Sequence, residues 1–268
     1  MRTRRRERAA AVAGAAMLAL ALAGCGGRRE SVTAAGSTAF QPFAEKLADQ
    51  YMAARPGEAV TIQGGGSAVG IQSALSGAAD IGMADLVRLP PEAGALKAEV
   101  VARDGIALVV HPSNPVSNLT LDQVRGLFSG DIRSWKEVGG ADEPVTIVSR
   151  EAGSGTRSSF EEIVGGIRPN PDAIVQDSNG TIRETVGNDA RAIGYLSHGL
   201  INEKVKALTV DGHACTTEEI VSGGYALVRP VFFLTRGDAS PAARAFIAYV
   251  LSPEAQAAIR EDGLIPAK

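Results

Sequence analysis

The chain has 268 residues, of which 45% are hydrophobic and 21% are charged, and its formal net charge at pH 7 is −3. This length suits one large domain or two of ordinary size, and the hydrophobic content supports a buried core. The charge lacks the basic excess that nucleic-acid binding requires, so we expect no nucleic-acid partner. The aromatic content of 4% is low for a site that stacks rings or sugars.

The first 25 residues follow the order of an export signal. Residues 1–8 carry five arginines, residues 9–23 are uncharged and rich in alanine and leucine, and Leu22-Ala23-Gly24-Cys25 closes the segment. The apolar stretch is too short for an ordinary membrane span, so a signal peptide is predicted over residues 1–24. Its ending resembles a bacterial lipobox, which makes Cys25 the predicted lipidation site. The alternative is a plain secretory signal with an incidental cysteine.

Removal of residues 1–24 leaves 22 basic and 29 acidic residues, a net charge of −7. From residue 31 onward, apolar β-branched runs alternate with helical periodicity, which predicts an α/β fold. Strands are predicted over residues 31–34, 59–63, 79–83, 105–111, 144–149, 173–176, 192–196 and 225–234. Helices are predicted over residues 39–54, 68–76, 121–128, 157–165, 181–188, 217–221, 241–251 and 253–261.

Three short runs rich in glycine and hydroxyl side chains precede predicted helices. They are Gly36-Ser37-Thr38, Gly64-Gly65-Gly66-Ser67 and Gly153-Ser154-Gly155-Thr156. Glycine lets the backbone approach a ligand closely, and the unpaired N–H groups of a helix start favour an anion. A single run of this kind is only an N-cap. Three of them, with Arg150 beside one and Asp85 after another, predict a dehydrated pocket for a small oxyanion.

Eight sequence blocks, taken together in their order and spacing, resemble the PstS family, the periplasmic phosphate-binding components of phosphate ABC transporters. The blocks are AGST at 35–38, GGGSAVGI at 64–71, ADIGMAD at 79–85, DGIA at 104–107, LFSG at 127–130 with Trp135, REAGSGTR at 150–157, SNG at 178–180 and AIGY at 192–195. The resemblance covers nearly all of the chain after the signal. It implies a two-lobed type II periplasmic binding protein fold, with the ligand in the cleft between the lobes.

The resemblance also implies how the chain is divided. Lobe I comprises residues 25–110 and 225–268, and lobe II comprises residues 111–224. The apolar runs 105–110 and 225–234 would be the strands that cross between the lobes. Proline ends the first run and interrupts the second, which restricts such runs to edges or crossings.

Nine residues are implied as phosphate contacts. They are Ser37, Thr38, Ala39, Ser67, Asp85, Arg150, Ser154, Gly155 and Thr156. Arg150 fits the role because a guanidinium can form two parallel hydrogen bonds to a tetrahedral oxyanion. Without the resemblance, Ser154 would be a simple helix cap and Arg150 a surface charge.

Asp85 is the residue that we expect to discriminate between anions. A carboxylate that faces an anion is repulsive unless the ligand has a proton to donate, which hydrogen phosphate has near neutral pH and sulfate lacks. The alternative is that Asp85 caps the segment after the strand 79–83. Many members of the family have serine where this chain has Ala84, so one hydroxyl contact is either lost or moved to the backbone.

The predicted function is that of an extracytoplasmic, lipid-anchored solute-binding protein of the cell membrane. As a monomer, it would capture inorganic phosphate and deliver it to an ABC permease and ATPase complex. A receptor for tungstate, molybdate or sulfate and a phosphate sensor without transport are the alternatives. We expect that the protein is not an enzyme, because the sequence has no Gly-x-Ser-x-Gly, Walker lysine or His-Glu-x-x-His motif. No cofactor is expected, and no metal, because His213 and Cys215 lack further ligands.

Overall fold

The structure is a computed structural model that describes residues 30–168 and 170–267. Residues Ser31–Lys268 form one compact unit. The predicted signal peptide and Cys25 lie outside the described residues. Among the residues that are described, no helix has both the length and the apolar character needed to cross a membrane.

The described residues form twelve strands and eight α-helices. The strands are β1 (Glu30–Gly36), β2 (Glu58–Gln63), β3 (Ile81–Asp85), β4 (Leu96–Val110), β5 (Asn118–Leu119), β6 (Thr146–Arg150), β7 (Ile174–Gln176), β8 (Ala192–Ser197), β9 (Lys206–Ala207), β10 (Thr209–Val210), β11 (Val228–Arg236) and β12 (Ile265–Pro266). The helices are α1 (Gln41–Ala54), α2 (Ser67–Ser76), α3 (Leu121–Ser129), α4 (Gly155–Val164), α5 (Asn179–Gly187), α6 (Thr217–Ser222), α7 (Pro241–Val250) and α8 (Pro253–Glu261).

Each predicted strand and helix has a counterpart in this list, so the α/β class is confirmed. The largest difference is β4, which begins nine residues before the predicted strand 105–111. Its first half alternates less clearly between apolar and polar residues, and it is extended because it pairs with β11. The short strands β5, β9, β10 and β12 were not predicted, since two residues carry no readable periodicity.

Serine caps define the starts of the last two helices, as their sequences indicate. Ser240 Oγ accepts a hydrogen bond from the N–H of Ala243 at 3.1 Å, and Ser252 Oγ accepts one from Ala255 at 3.3 Å. A proline follows each serine at the first helical position, where its missing N–H costs nothing.

The main sheet has the strand order β2-β1-β3-β11-β4-β8-β6-β7, with β9 and β12 also paired to β4. Neighbours β1 and β3 are parallel, as are β8 and β6, and β6 and β7. The long strands β11 and β4 lie in the middle and are antiparallel to each other and to their outer neighbours. Two parallel groups of strands therefore flank one antiparallel pair.

Two large hydrophobic cores pack on different parts of this sheet. One buries α1, α7 and α8 against β1 and β3, and the other buries α3, α4 and α5 against β6 and β8. The central strands contribute to both cores. In β4, Val101 and Ala102 belong to the first core and the residues from Ile106 onward to the second. Each core holds a group of aromatic rings, such as Phe160 stacked on Tyr195 at 4.3 Å in the second.

Candidate functional site

The nine predicted site residues converge where the carboxyl ends of the two parallel groups of strands face each other, beside the middle of β4. Five lie at the carboxyl ends of β3 and β6 or directly after β1, and four lie at the starts of α2 and α4: Ser37, Thr38, Ala39, Asp85 and Arg150, then Ser67, Ser154, Gly155 and Thr156. The strands β1 and β3 run in the opposite direction to β6 and β8, so the carboxyl ends of the two groups point towards each other. Ligands of α/β proteins bind at the carboxyl ends of strands. Thr38 is half-buried and the other eight residues are buried.

Asp85 joins three of the elements through hydroxyl groups. Ser67 Oγ donates to Asp85 Oδ1 at 2.8 Å and accepts from the N–H of Asp85 at 3.1 Å. Thr156 Oγ1 donates to Asp85 Oδ2 at 3.4 Å. Within the described part of the chain, every hydrogen bond to this carboxylate comes from a side chain. The structure therefore does not support the alternative in which Asp85 caps the following backbone.

A glycine is required at position 155 because the start of α4 packs directly against Ser67 and Asp85. A Cβ atom on Gly155 would lie 2.5 Å from the carbonyl oxygen of Asp85 and 2.9 Å from Ser67 Cβ, and closer still to Ser67 Oγ. The N–H of Ala68 donates to the carbonyl oxygen of Gly153 at 3.1 Å. The starts of α2 and α4 are thus in direct backbone contact, and a side chain at position 155 would separate them.

Arg150 is 1% exposed, and most of its donors are bonded to protein groups. Its Nε and Nη2 donate to the two carboxylate oxygens of Glu151 at 2.8 and 2.9 Å. Nη2 also donates to Thr38 Oγ1 at 3.1 Å and to the carbonyl oxygen of Asp177 at 3.3 Å. Nη1 is buried and has no acceptor among the described residues. The parallel pair of hydrogen bonds expected for an anion is thus made to Glu151, which compensates the buried charge, and Nη1 is the donor left for a ligand.

Ser154 and Ser37 both cap backbone groups. Ser154 Oγ accepts from the N–H of Arg157 at 3.2 Å, which makes it the N-cap of α4. Ser37 Oγ accepts from the N–H groups of Ala39 and Phe40 at 3.2 and 3.0 Å. Each hydroxyl still has its own hydrogen to donate. The N–H of Ala39, in contrast, is already engaged by Ser37.

Arg229 on β11 is a member of this cluster that the sequence analysis missed. Its side chain is 0% exposed, and Nη2 lies 2.7 Å from Asp85 Oδ2 and 2.9 Å from Asp104 Oδ2. Its Nε and Nη1 have no acceptor among the described residues. The available signal was a charged residue inside the apolar run 225–234, since an arginine is rarely buried without a partner.

Asn179 and Ser197 connect the two arginines. Asn179 Nδ2 donates to Thr38 Oγ1 at 3.2 Å, and its Oδ1 accepts from the N–H of Ser197 at 3.0 Å. Ser197 Oγ donates to Asp104 Oδ1 at 2.8 Å. A continuous chain of hydrogen bonds thus runs from Arg150 to Asp85. Asn179 lies in the block SNG at 178–180 and Asp104 in the block DGIA at 104–107. Their presence in these blocks was a signal from which a role near the site could have been predicted.

The charges of the cluster nearly cancel. Two guanidinium groups, Arg150 and Arg229, face three carboxylates, Glu151, Asp85 and Asp104. Burial raises the pKa of the Asp104 carboxyl, against the lowering effect of Arg229 and Ser197. No group of three or more His, Cys, Asp or Glu residues within the described ranges could hold a metal ion. The arrangement offers directed N–H and O–H donors around one carboxylate acceptor, which suits recognition of a partly protonated oxyanion.

Comparison with known proteins agrees with this description. The family model of the PBP superfamily domain matches residues 23–254. The phosphate-binding protein PstS of Bacillus subtilis is 34% identical over 242 residues, which cover 88% of this chain and 80% of that protein. A solved protein from Clostridium perfringens, attributed to a phosphate ABC transporter and holding bound phosphate, is 36% identical, with a TM-score of 0.87 over 89% of this chain and 100% of its own.

An ABC-type phosphate transport receptor from Vibrio cholerae is also 36% identical, with a TM-score of 0.74, and the match covers 87% of this chain and 99% of that one. These matches confirm the two-lobed type II fold with its cleft. The chain belongs to the PBP superfamily and, within it, to the PstS family of phosphate-binding proteins.

Proposed function

We propose that this chain is the substrate-binding component of a phosphate ABC transporter and that it binds inorganic phosphate at the cluster around Arg150 and Asp85. The observation that carries the proposal is the buried Nη1 of Arg150, which has no acceptor among the described residues. Because an unsatisfied charged donor is costly to bury, a ligand oxygen at this position would account for it.

The other eight predicted residues, Ser37, Thr38, Ala39, Ser67, Asp85, Ser154, Gly155 and Thr156, complete the proposed site. Ser154, Gly155 and Thr156 open α4, where backbone N–H groups favour an anion. Hydroxyl hydrogens of Ser37 and Ser154 are available as donors, because both oxygens act as acceptors in their caps. Ala39 is the weakest member, since its N–H is bonded to Ser37.

Asp85 favours phosphate over fully deprotonated dianions. Its buried carboxylate would accept the proton of hydrogen phosphate, whereas sulfate or tungstate would place an oxygen lone pair against it. Titration of the purified protein with phosphate, arsenate, sulfate and tungstate tests the proposal. We expect heat from phosphate and arsenate only. Stronger binding of sulfate or tungstate would instead favour an oxyanion receptor, and no binding of any anion would refute the proposed site.

We further propose that residues 25–110 with 225–268 and residues 111–224 act as two lobes that close on the ligand. The two separate cores support this division, because the central strands β4 and β11 change from one core to the other partway along their length. Ser67 and Asp85 belong to one lobe, and Arg150 and Thr156 to the other. A ligand that contacts both lobes favours the closed state. Small-angle scattering should show a smaller radius of gyration with phosphate than without it.

Lipid anchoring at Cys25 and delivery of phosphate to a membrane permease and its ATPase complete the proposal. The basic, apolar and small-residue order of residues 1–25 supports export and anchoring. Delivery of phosphate to a permease is supported by the similar solved proteins from Clostridium perfringens and Vibrio cholerae, which are described as components of phosphate ABC transport. Reconstitution with a phosphate permease and its ATPase from the same organism should show stimulation of ATP hydrolysis by the phosphate-loaded protein. A protein that binds phosphate without stimulating a permease would instead be a sensor.

A further inference from the structure

Arg229 has no counterpart in the predicted site, yet its guanidinium touches the carboxylate that we expect to choose the anion. It lies in β11 directly opposite Asp104 of β4, in the antiparallel pair at the centre of the sheet. The side chain is fully buried, and so are Asp85 and Asp104. Burial of two carboxylates and one guanidinium is costly, and Arg229 is the only charged residue buried in β11.

A single nitrogen makes both contacts. Nη2 of Arg229 is 2.7 Å from Asp85 Oδ2 and 2.9 Å from Asp104 Oδ2. The remaining oxygen of each carboxylate is held by a serine hydroxyl, from Ser67 for Asp85 and from Ser197 for Asp104. Each carboxylate is thus hydrogen-bonded at both oxygens, which fixes its orientation.

The acceptor capacity of Asp85 is nearly used up. An ionised carboxylate has about four lone-pair positions. Ser67, Thr156 and Arg229 occupy three of them. One position is left, which is what a ligand with a single proton to donate requires. A ligand without a proton would place one of its own oxygen lone pairs against this carboxylate lone pair, and the two would repel each other.

Arg229 also supplies the positive charge next to Asp85. Its Nη2 lies between the carboxylates of Asp85 and Asp104, and without it two buried carboxylates would face each other with no cation between them. Their repulsion would turn the Asp85 carboxylate out of its position, so that it would no longer offer one free acceptor position to the ligand. Burial raises the pKa of the Asp104 carboxyl, against the lowering effect of Arg229.

We propose that Arg229 is a positioning residue that sets anion selectivity by pairing with the Asp85 carboxylate, fixing its orientation and leaving it one free acceptor position. This inference rests on the proposed binding of phosphate. It concerns the ratio of phosphate to sulfate affinity rather than phosphate affinity itself.

Competition titrations with phosphate and sulfate on the purified protein test the inference. We expect Arg229→Gln to narrow the ratio of phosphate to sulfate affinity by at least tenfold. Arg229→Lys should recover much of the ratio, because one nitrogen makes both contacts and an ammonium can supply a point charge. Arg168→Gln is the control. It removes an exposed arginine that is paired with Asp131 and makes no hydrogen bond to the cluster among the described residues, and it should leave the ratio unchanged.

Thermal unfolding shows whether the variants fold. If Arg229→Gln does not, the double variant Arg229→Gln/Asp104→Asn carries the test, because it leaves no unpaired charge at position 104 and still deprives Asp85 of its cation. The inference would be overturned if a folded Arg229→Gln or double variant kept the wild-type ratio of phosphate to sulfate affinity. It would also be overturned if Arg229→Lys and Arg229→Gln lowered that ratio equally. Failure of the wild type to prefer phosphate would overturn the proposed function instead.

Discussion

Gly155→Ala should separate folding from ligand binding in this protein. Alanine is the better helix former by about 1 kcal/mol, and position 155 is the first residue of α4. In the structure, however, the added Cβ would lie 2.5 Å from the carbonyl oxygen of Asp85, whereas contacts below 3.0 Å essentially do not occur for real Cβ atoms. The neighbouring backbone would have to move by about half an ångström, and the clash with Ser67 adds to this.

Overpacking of this kind costs about 1–3 kcal/mol. If Gly155 and Asp85 approach each other when the lobes close, the cost falls on the closed state, and phosphate affinity should fall roughly 5- to 150-fold. Calorimetric titration gives the affinity, and thermal unfolding without ligand gives the stability. We expect weaker binding and a reduced rise in melting temperature on addition of phosphate.

Gly180→Ala is the matched control, because Gly180 also lies in the first turn of a helix, α5, and is exposed. A Cβ there meets nothing closer than Ser178 Oγ at 3.8 Å. This variant should gain helix stability and bind phosphate like the wild type. Equal phosphate affinities for Gly155→Ala, Gly180→Ala and the wild type would refute the reasoning, since the contact between α4 and β3 would then play no part in the bound state.

Three further variants test individual residues. Arg150→Lys keeps the charge but lacks the planar fork that bonds Glu151 and leaves Nη1 free, so phosphate affinity measured by calorimetry should fall roughly tenfold or more; unchanged affinity would place Arg150 outside the site. Asp85→Asn should admit sulfate in competition titrations while phosphate still binds, because the amide can donate where the carboxylate could not; an unchanged ratio would remove Asp85 from the mechanism. Cys25→Ala should release the protein from membranes or block its processing in cell fractionation, and a variant that matures and stays membrane-bound would contradict the lipobox prediction.

The sequence by itself determined the secondary-structure elements and the local backbone of the binding site. Apolar periodicity located all eight helices of the described region to within a few residues. Serine before proline marked the starts of α7 and α8, and the caps observed at Ser240 and Ser252 follow from local backbone needs alone. The glycine and hydroxyl runs likewise identified the starts of α2 and α4, since such contacts involve residues only a few positions apart.

Only the tertiary structure decided which charged and polar side chains meet. Arg229 and Asp104 are 125 residues apart, and Asn179 and Thr38 are 141 apart. Their contacts depend on the order of strands in the sheet, in which β11 returns between β3 and β4. Periodicity reports which face of a strand is buried but not which strand lies beside it. The contact between Arg229 and Asp85, on which the proposed anion selectivity rests, could therefore be identified only from the folded structure.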